Sequence, residues 1–454
     1  MGLAALAAAG GSISSASLAA EGLRTNDQVL LRGAISDCAS GEVTCDAFAQ
    51  RKSERAGSAS VGLRIDHPAD VNDAAYGYPV GSVPHFVEEA SPPPFDLDWS
   101  VGLRGAYVNN STTGARYEAL ISPNATLSYE GSRTRVIFGA GADVSRSSTD
   151  ALRLGALRMS LDADYKFDRD MQIENRGVLS FTQASPDDPS LATGVIEAPL
   201  TFVGSLDSTL TRRFGRLDVA LRGNLERDVY GDSTLAGQIK QDNTSSNRSV
   251  VGGGLRLSYA LTPIIKVFVD GDAAHDTFDA ISPSLGVKAD GTSYAVRSGL
   301  SGQWGERLSA EASIGFGLRR FDASALDEVT AMLYDARVVY KPDGTLTLTG
   351  AFTTRFTPPG PNGSGTTRVD HIASADVNYR VNSWLALRAL ANWSSADLSG
   401  TGGTERGYGL GVGADYLVNS HTTVNADYGF SHSETASNPN TDEHRVTLGV
   451  TISR

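Results

Sequence analysis

Long apolar segments are missing from this chain of 454 residues. A membrane-spanning helix needs about 20 consecutive, mostly apolar residues, and no stretch of the sequence reaches that length. The mean hydropathy of −0.18 would by itself suggest a water-soluble protein. The sequence therefore excludes transmembrane helices. It does not exclude transmembrane strands, because half of the residues in such a strand are polar.

Basic residues are outnumbered by acidic ones, which restricts the possible partners. The chain has 39 Lys and Arg against 52 Asp and Glu, a net charge of −13. Nucleic-acid-binding proteins carry basic patches with interleaved aromatic residues, and the sequence has no such patch. The 7 histidines lack the spacing of metal ligands. We therefore expect no nucleic-acid partner, no metal and no cofactor.

What the sequence does contain is a series of about 18 strand-like segments between Asp96 and Arg454. Tight turns, such as Gly215-Arg216, follow every second segment, and longer polar stretches, such as Gly231–Ser246 and Ala280–Gly291, follow the others. Short turns at one rim and long loops at the other are typical of bacterial transmembrane β-barrels. The segments that follow the long stretches are predicted to begin at Gly114, Leu152, Val195, Asn247, Gly291, Asp327, Thr366, Thr404 and Thr441.

Several segments alternate strictly between apolar and polar residues. Between positions 216 and 226, Leu217, Val219 and Leu221 share one face, whereas Asp218 and Arg222 share the other. A period of two indicates a strand with different surroundings on its two faces. In a membrane barrel the apolar face contacts lipid and the polar face lines the lumen.

The positions of the aromatic residues favour a membrane barrel over a soluble β-sandwich. They fall near both ends of the predicted strands, where they would form girdles at the two lipid interfaces. Near the turn-side ends are Tyr129, Tyr165, Phe214, Tyr259, Trp304, Tyr340, Tyr379 and Tyr416. Near the loop-side ends are Tyr107, Phe181, Tyr230, Phe278, Phe321, Phe356, Trp393 and Phe430.

These patterns predict an all-β fold, a closed antiparallel transmembrane β-barrel over residues 96–454. We expect it in a Gram-negative outer membrane, with long extracellular loops, short periplasmic turns and both termini in the periplasm. Residues 1–20 contain an apolar run followed by Ser17-Leu18-Ala19, a small-x-small pattern that indicates a signal-peptide-like segment. Residues 21–95 show no sustained period and are interpreted as an N-terminal extension, either periplasmic or lumenal.

Cysteine is nearly absent, and Cys38 and Cys45 both lie in the N-terminal extension. Because the periplasm oxidises thiols, their short spacing predicts a disulfide loop. A metal site is the weaker alternative, since no further ligands lie at the usual spacing.

Parts of the predicted barrel sequence resemble a known family. The stretches 212–219 and 319–350 and the final hairpin 408–454 are similar to a family of outer-membrane β-barrel porins. Members of that family are often associated with exopolysaccharide export systems. The resemblance implies a barrel and a route for solutes or polymer across the outer membrane, and it carries no catalytic signature.

By alternation, charged residues of both signs should line the lumen. One interpretation is a network of ion pairs that solvates the wall. The other is an electrostatic field that selects solutes or guides a hydroxyl-rich chain. The candidate lumen-lining residues are Arg135, Arg158, Asp162, Arg176, Asp218, Arg222, Arg256, Asp270, Arg297, Arg319, Arg337, Arg355, Asp376, Arg388 and Asp427.

The sequence therefore predicts a channel, either a passive porin or a conduit for exopolysaccharide export, and no enzyme. A structural or adhesin-like barrel with a closed lumen is the alternative. An outer-membrane hydrolase using His432 with Ser431 or Ser433 is disfavoured, because adjacent residues on a strand face opposite ways. Expected partners are outer-membrane lipids, lipopolysaccharide, the barrel-assembly machinery and, for export, periplasmic polysaccharide-export components.

Overall fold

The computed structural model describes residues 95–148, 152–183, 195–358, 365–400, 403–435 and 440–454. The signal-peptide-like segment, nearly all of the N-terminal extension and the predicted Cys38–Cys45 disulfide lie outside the described residues. Within the described ranges, no helix has the length and apolar character needed to span a membrane.

The described chain forms one closed antiparallel sheet of 18 strands, which confirms the predicted fold class. The first strand pairs with the last, from Ser100 opposite Ser453 to Asn110 opposite Glu443. The strands of the barrel are β1 (Phe95–Asn110), β2 (Gly114–Glu130), β3 (Thr134–Ser147), β4 (Leu152–Lys166), β5 (Met171–Gln183), β7 (Leu200–Phe214), β8 (Leu217–Tyr230), β11 (Arg248–Ala260), β12 (Ile265–Phe278), β13 (Gly291–Trp304), β14 (Leu308–Phe321), β15 (Val329–Tyr340), β16 (Leu346–Thr357), β17 (Thr367–Arg380), β18 (Leu385–Ser399), β19 (Thr404–Asn419), β20 (Thr422–Glu434) and β21 (Thr441–Ser453).

Three short strands form a separate small sheet at the loop rim: β6 (Val195–Glu197), β9 (Ser233–Leu235) and β10 (Ile239–Gln241). The sequence placed the start of a barrel strand at Val195, but the barrel strand β7 begins at Leu200. Pro199 explains the break, because proline has no N–H to donate to a sheet. The long stretch before β11 is likewise not a plain loop, since it contains β9, β10 and a 3₁₀ turn at Thr244–Ser246.

The short turns form where their residues favour tight bends. Gly215 and Gly305 adopt positive φ angles of 63° and 61°, which cost little without a Cβ. In the turn before β16, Asp343 Oδ1 accepts hydrogen bonds from the backbone N–H groups of Thr345 and Leu346, at 2.7 and 3.0 Å. Asn382 does the same for Leu385 in the turn before β18, at 2.9 Å. These side chains therefore satisfy backbone N–H groups that have no strand partner in the turn.

The convex face of the barrel is apolar, and its turn-side end carries the predicted girdle. Of the turn-side aromatics, Phe214, Tyr259, Trp304 and Tyr416 are 43–54% exposed on this face. Because these side chains surround a closed sheet and cannot pack against another element, lipid is the medium that suits them.

The loop-side girdle differs from the sequence prediction. Tyr107 and Trp393 face outward, but Tyr230, Phe278 and Phe321 are buried on the concave side at 7%, 5% and 8% exposure. The loop between β12 and β13 folds inward, and its Ala289 packs with Phe278 and Phe321. Phe356 also lies on the inner side. The prediction was wrong for Tyr230, Phe278 and Phe321 because each lies two residues after a charged residue of the concave face, so strand alternation points it into the barrel. At Phe356 the end of β16 leaves the wall, which the strand pattern does not show.

An arginine placed on the convex face tests the membrane-spanning orientation. Leu255, midway along β11, is 46% exposed on that face. Leu255→Arg should destabilise the barrel by about 2–4 kcal/mol, the cost of arginine at the bilayer midplane. Urea titration in phospholipid vesicles measures the loss. Ser258→Arg is the control, because Ser258 lies opposite Asp218 on the concave face. Equal losses in both variants would contradict the assignment of the two faces.

Candidate functional site

The concave face of the barrel is the candidate functional site, and ion pairs that bridge distant strands identify it. Neighbouring strands lie about 4.8 Å apart, so side chains two or three strands apart meet only where the sheet curves towards them. Arg256 of β11 donates to both carboxylate oxygens of Glu311 on β14, at 2.9 and 2.8 Å. Arg445 of β21 reaches across β1 to Glu118 of β2, at 2.8 Å. These pairs therefore mark the inside of the barrel.

The strand register places the predicted lumen-lining residues on this concave face, distributed around the wall rather than in one cluster. Several pair with neighbours, as Arg158 does with Asp143 at 3.2 Å and Arg176 with Asp162 at 2.8 Å. The residues concerned are Arg135, Arg158, Asp162, Arg176, Asp218, Arg222, Arg256, Asp270, Arg297, Arg319, Arg337, Arg355, Asp376, Arg388 and Asp427.

Among the residues that the structure describes, the largest buried group of charges, which we call the β8–β14 cluster, comprises Glu226, Asp228, Arg248, Asp276 and Arg319. Arg248 of β11 donates to Glu226 and Asp228 of β8, at 2.5 and 2.7 Å. Arg319 of β14 donates to Asp276 of β12 at 2.5 Å. All five are at most 5% exposed. Charges this deeply buried are tolerated only because each has an opposite partner.

A second group, the β2–β21 cluster, joins the first and last hairpins across the closure of the barrel. Glu118 accepts from Arg116 at 2.7 Å and from Arg445 at 2.8 Å. Glu443 lies 3.4 Å from Arg445 and accepts from Asn110 at 3.3 Å. Because its members lie on β1, β2 and β21, this cluster ties together the strands that close the barrel.

Smaller groups line the middle of the wall. Arg388 of β18 bridges Asp415 of β19 and Asp427 of β20, at 2.8 Å to each. Elsewhere on the wall, Arg297 of β13 bridges Asp272 and Asp335, at 2.8 and 2.9 Å. Each arginine thus reaches carboxylates on two other strands, which fixes the guanidinium groups along the lumen.

Glycines make room for some of these side chains. Gly407, Gly409, Gly411 and Gly413 of β19 all lie on the concave face. A Cβ on Gly413 would clash with the Asp427 carboxylate and come within 3.2 Å of the Arg388 guanidinium. This glycine stripe on the lumen face therefore lets charged side chains lie flat against the backbone.

Arg104 and Arg319 each retain two unsatisfied donors. Arg104 Nε and Nη1 and Arg319 Nε and Nη2 are buried and have no hydrogen-bond partner among the described residues. Arg104 and Arg319 are only 7% and 2% exposed. A buried donor without a partner costs about 1–3 kcal/mol. An oxygen atom of a solute that reached these groups would relieve that cost.

Sequence reasoning missed several buried charged residues, among them Arg104, Arg116, Glu118, Arg248 and Arg368. Most lie near the loop-side ends of their strands, where the alternation is short or interrupted by loops. The signal that could have identified Arg104 is the alternation around it, in which Val101 and Leu103 fall on the opposite, apolar face. The partners could not be read from any pattern, because they come from strands far apart in the chain.

The disfavoured hydrolase arrangement is not assembled. His432 lies on the convex face, where its Nδ1 is 2.6 Å from Asp442 and its ring stacks on Tyr408 at 4.9 Å. Ser431 and Ser433 lie on the concave face by register. Within the described ranges, no three acidic, histidine or cysteine residues are grouped as a metal site would require.

The β2–β21 cluster can be tested by removing one charge. Glu118→Gln leaves Arg116 and Arg445 without their shared partner and should destabilise the barrel by about 3–5 kcal/mol, the usual loss for a broken buried ion pair. Urea unfolding in vesicles measures it. Glu130→Gln on the same face of β2 is the control: its ion pair with Arg135 is exposed and 3.6 Å long, so it should change stability by at most about 1 kcal/mol.

The loop rim offers a test of pH dependence. Arg227 donates to both oxygens of Asp279, at 2.8 and 2.5 Å, and these bonds lower the pKa of Asp279. The stabilisation is therefore present above the unfolded pKa of about 3.9 and is lost as the pH falls through the lower folded pKa. The stability difference between wild type and Asp279→Asn, at most about 1 kcal/mol for an exposed pair, should shrink from pH 6 to pH 3. A difference that grows on acidification would contradict this sign.

Comparison with known proteins places the barrel in a family. No curated protein matches this chain significantly. Among the solved structures that share a distant similarity with it are the following three. Pseudomonas aeruginosa OpdK with vanillate has a TM-score of 0.42 at 12% identity and covers 79% of this chain and 99% of its own. P. aeruginosa OccK5 (OpdH) has a TM-score of 0.39 at 12% identity and covers 79% of this chain and 98% of its own. The Neisseria meningitidis FrpB iron transporter (F5-1 variant) has a TM-score of 0.41 at 10% identity and covers 76% of this chain and 65% of its own.

The sequence itself gives the firmer assignment. A family model described as "Putative beta-barrel porin 2" matches residues 100–454, from the sixth residue of β1 to the last residue. The match includes residues of all 18 strands of the closed sheet, among them the first and last strands, which pair with each other. This chain belongs to the "Putative beta-barrel porin 2" family.

Proposed function

We propose that this protein is a passive channel of the Gram-negative outer membrane. The observation that carries the proposal is the pair of opposite faces on a closed wall of 18 strands: charged side chains line the concave face, and apolar ones cover the convex face. Barrels of 16–18 strands are wide enough to enclose an aqueous path. Membership of a porin family supports the same function.

The orientation is part of the proposal. The described ends of the barrel, Phe95 and Ser453, both lie at the rim of short turns. In outer-membrane barrels the short turns face the periplasm and the long loops face the outside. We therefore place both termini in the periplasm, lipids and lipopolysaccharide around the aromatic girdles, and the barrel-assembly machinery as the partner that inserts the chain.

The lining favours polar or anionic solutes. Most of its arginines are held by carboxylates, whereas Arg104 offers two donors without a partner among the described residues. A hydroxyl-rich polymer is the second candidate cargo, favoured by the glycine stripe Gly407–Gly413, where a chain could approach the backbone closely. An export role would add periplasmic polysaccharide-export components as partners.

Single-channel recording in a planar bilayer tests the channel. The full chain and a variant lacking residues 22–94 are compared under the same salt. Steady conductance in both forms would support an open, porin-like pore. Conductance only after the deletion would support a conduit that the N-terminal extension blocks. Silence in both would contradict a channel and favour the structural barrel with a closed lumen.

Arg104→Gln tests the role of the unpartnered guanidinium in selectivity. Because Arg104 adds positive charge to the lumen, the variant should shift the reversal potential in a KCl gradient towards that of a more cation-selective pore. Arg212→Gln is the matched control, since Arg212 lies on the convex face and its guanidinium lies 5.2 Å from the ring of Phe214. An equal shift in both variants, or none in Arg104→Gln, would contradict this role.

A further inference from the structure

The barrel wall is split along the loop-side half of one strand pair. β15 and β16 are paired from Tyr340 opposite Leu348 to Asp335 opposite Thr353, and there the pairing ends. Both segments nevertheless continue as strands: Val329–Tyr334 remains paired with β14, and Thr354–Thr357 remains paired with β17. If the register continued, Tyr334 would lie opposite Thr354 and Ala331 opposite Thr357. The two strands therefore diverge within the wall.

The end of β16 moves to the inside of the barrel. Gly317 of β14 and Leu333 of β15 lie on the concave face, and Leu333 is only 1% exposed. The ring of Phe356 fills the space that a Cβ on Gly317 would occupy, and the Leu333 side chain lies 3.0 Å from that position. Phe356 therefore lies behind β15, against the inner surface of β14. Thr354 and Thr357 beside it are fully buried.

An apolar surface lines the inside of the barrel next to this split. Phe278, Ala289 and Phe321 form a buried core with Leu326 and Val329 packed against it. Val329 lies on the same face of β15 as Leu333, and Phe321 lies on the same face of β14 as Gly317. The apolar surface therefore continues down to Phe356. It contrasts with the charged lining elsewhere and adjoins the place where the wall is split.

The convex side of the split meets lipid. Met332 and Tyr334 are 45% and 42% exposed there. Between Ala331 and Tyr334, the edge of β15 that faces β16 has no strand partner among the described residues. An unpaired backbone edge is costly in hydrocarbon, so a polar group that approached this edge from the bilayer would be bound favourably.

We propose that this split is a lateral portal, through which the acyl chain of a membrane amphiphile passes from the bilayer to the apolar inner surface. Its polar headgroup would satisfy the exposed edge of β15, and its chain would lie along Phe356 and Val329, which are both partly exposed. The portal requires that the barrel is in a membrane but not that it conducts, so its test is independent of the conductance measurement.

Fluorescence quenching by lipid tests the portal. In a Cys38→Ser/Cys45→Ser background, single cysteines labelled with bimane are introduced by Ala331→Cys, Ala295→Cys or Met332→Cys. Ala295, Gly317 and Ala331 form one row on the concave face, but Ala295 lies where the wall is closed. In phosphatidylcholine vesicles with brominated acyl chains, the probe at position 332 should be quenched strongly and the probe at 331 comparably, while the probe at 295 is spared. Equal quenching at 331 and 295, whether strong or absent, would overturn the portal.

A disulfide test needs no label and reports the same split. Tyr334→Cys/Ile314→Cys joins residues that lie opposite each other in β14 and β15, so its thiols should oxidise readily. Tyr334→Cys/Thr354→Cys joins residues that would lie opposite each other only if β15 and β16 stayed paired beyond Asp335 and Thr353. In membranes treated with copper phenanthroline, the first pair should cross-link and the second should not. Complete cross-linking of the second pair would show a closed wall and overturn the proposal.

Discussion

The need to pair every backbone N–H and C=O inside hydrocarbon is the constraint on which the rest of this structure depends. A flat sheet would leave two edges in lipid, where no water can satisfy them. Pairing β1 with β21 removes both edges, and it also bends the sheet into a tube with one concave and one convex face. The lining, the lipid-facing surface and the rims all follow from that closure.

Curvature decides how the charges are used. On the convex face, side chains spread apart and must be apolar, because each is surrounded by lipid. On the concave face they converge, so that arginines such as Arg256 and Arg445 reach carboxylates two or three strands away. The convergence explains how so many charges can be buried in one wall, because such guanidinium groups find acids that the chain order does not place near them.

The split between β15 and β16 shows where the closure constraint is relaxed. Loops fold inward at the same rim and bury Phe278 and Phe321 in an apolar core, and the end of β16 follows them inside. The result is a lumen with two chemically different regions, a charged wall along most of its length and an apolar surface beside the split. A channel for polar solutes and a lateral path for an amphiphile can therefore occupy one barrel without competing for the same side chains.

The sequence by itself determined the strand periodicity, the tight turns, the turn-side aromatic girdle and the face on which residues such as Arg158 and Asp427 lie. These features depend on neighbours within one strand or one hairpin, and local patterns carry them. It did not determine which charges pair, that Arg104 keeps unsatisfied donors, that Phe356 lies inside, or that β15 and β16 part. Those features depend on contacts between strands far apart in the chain and on how the loops fold, so only the closed tertiary structure decided them.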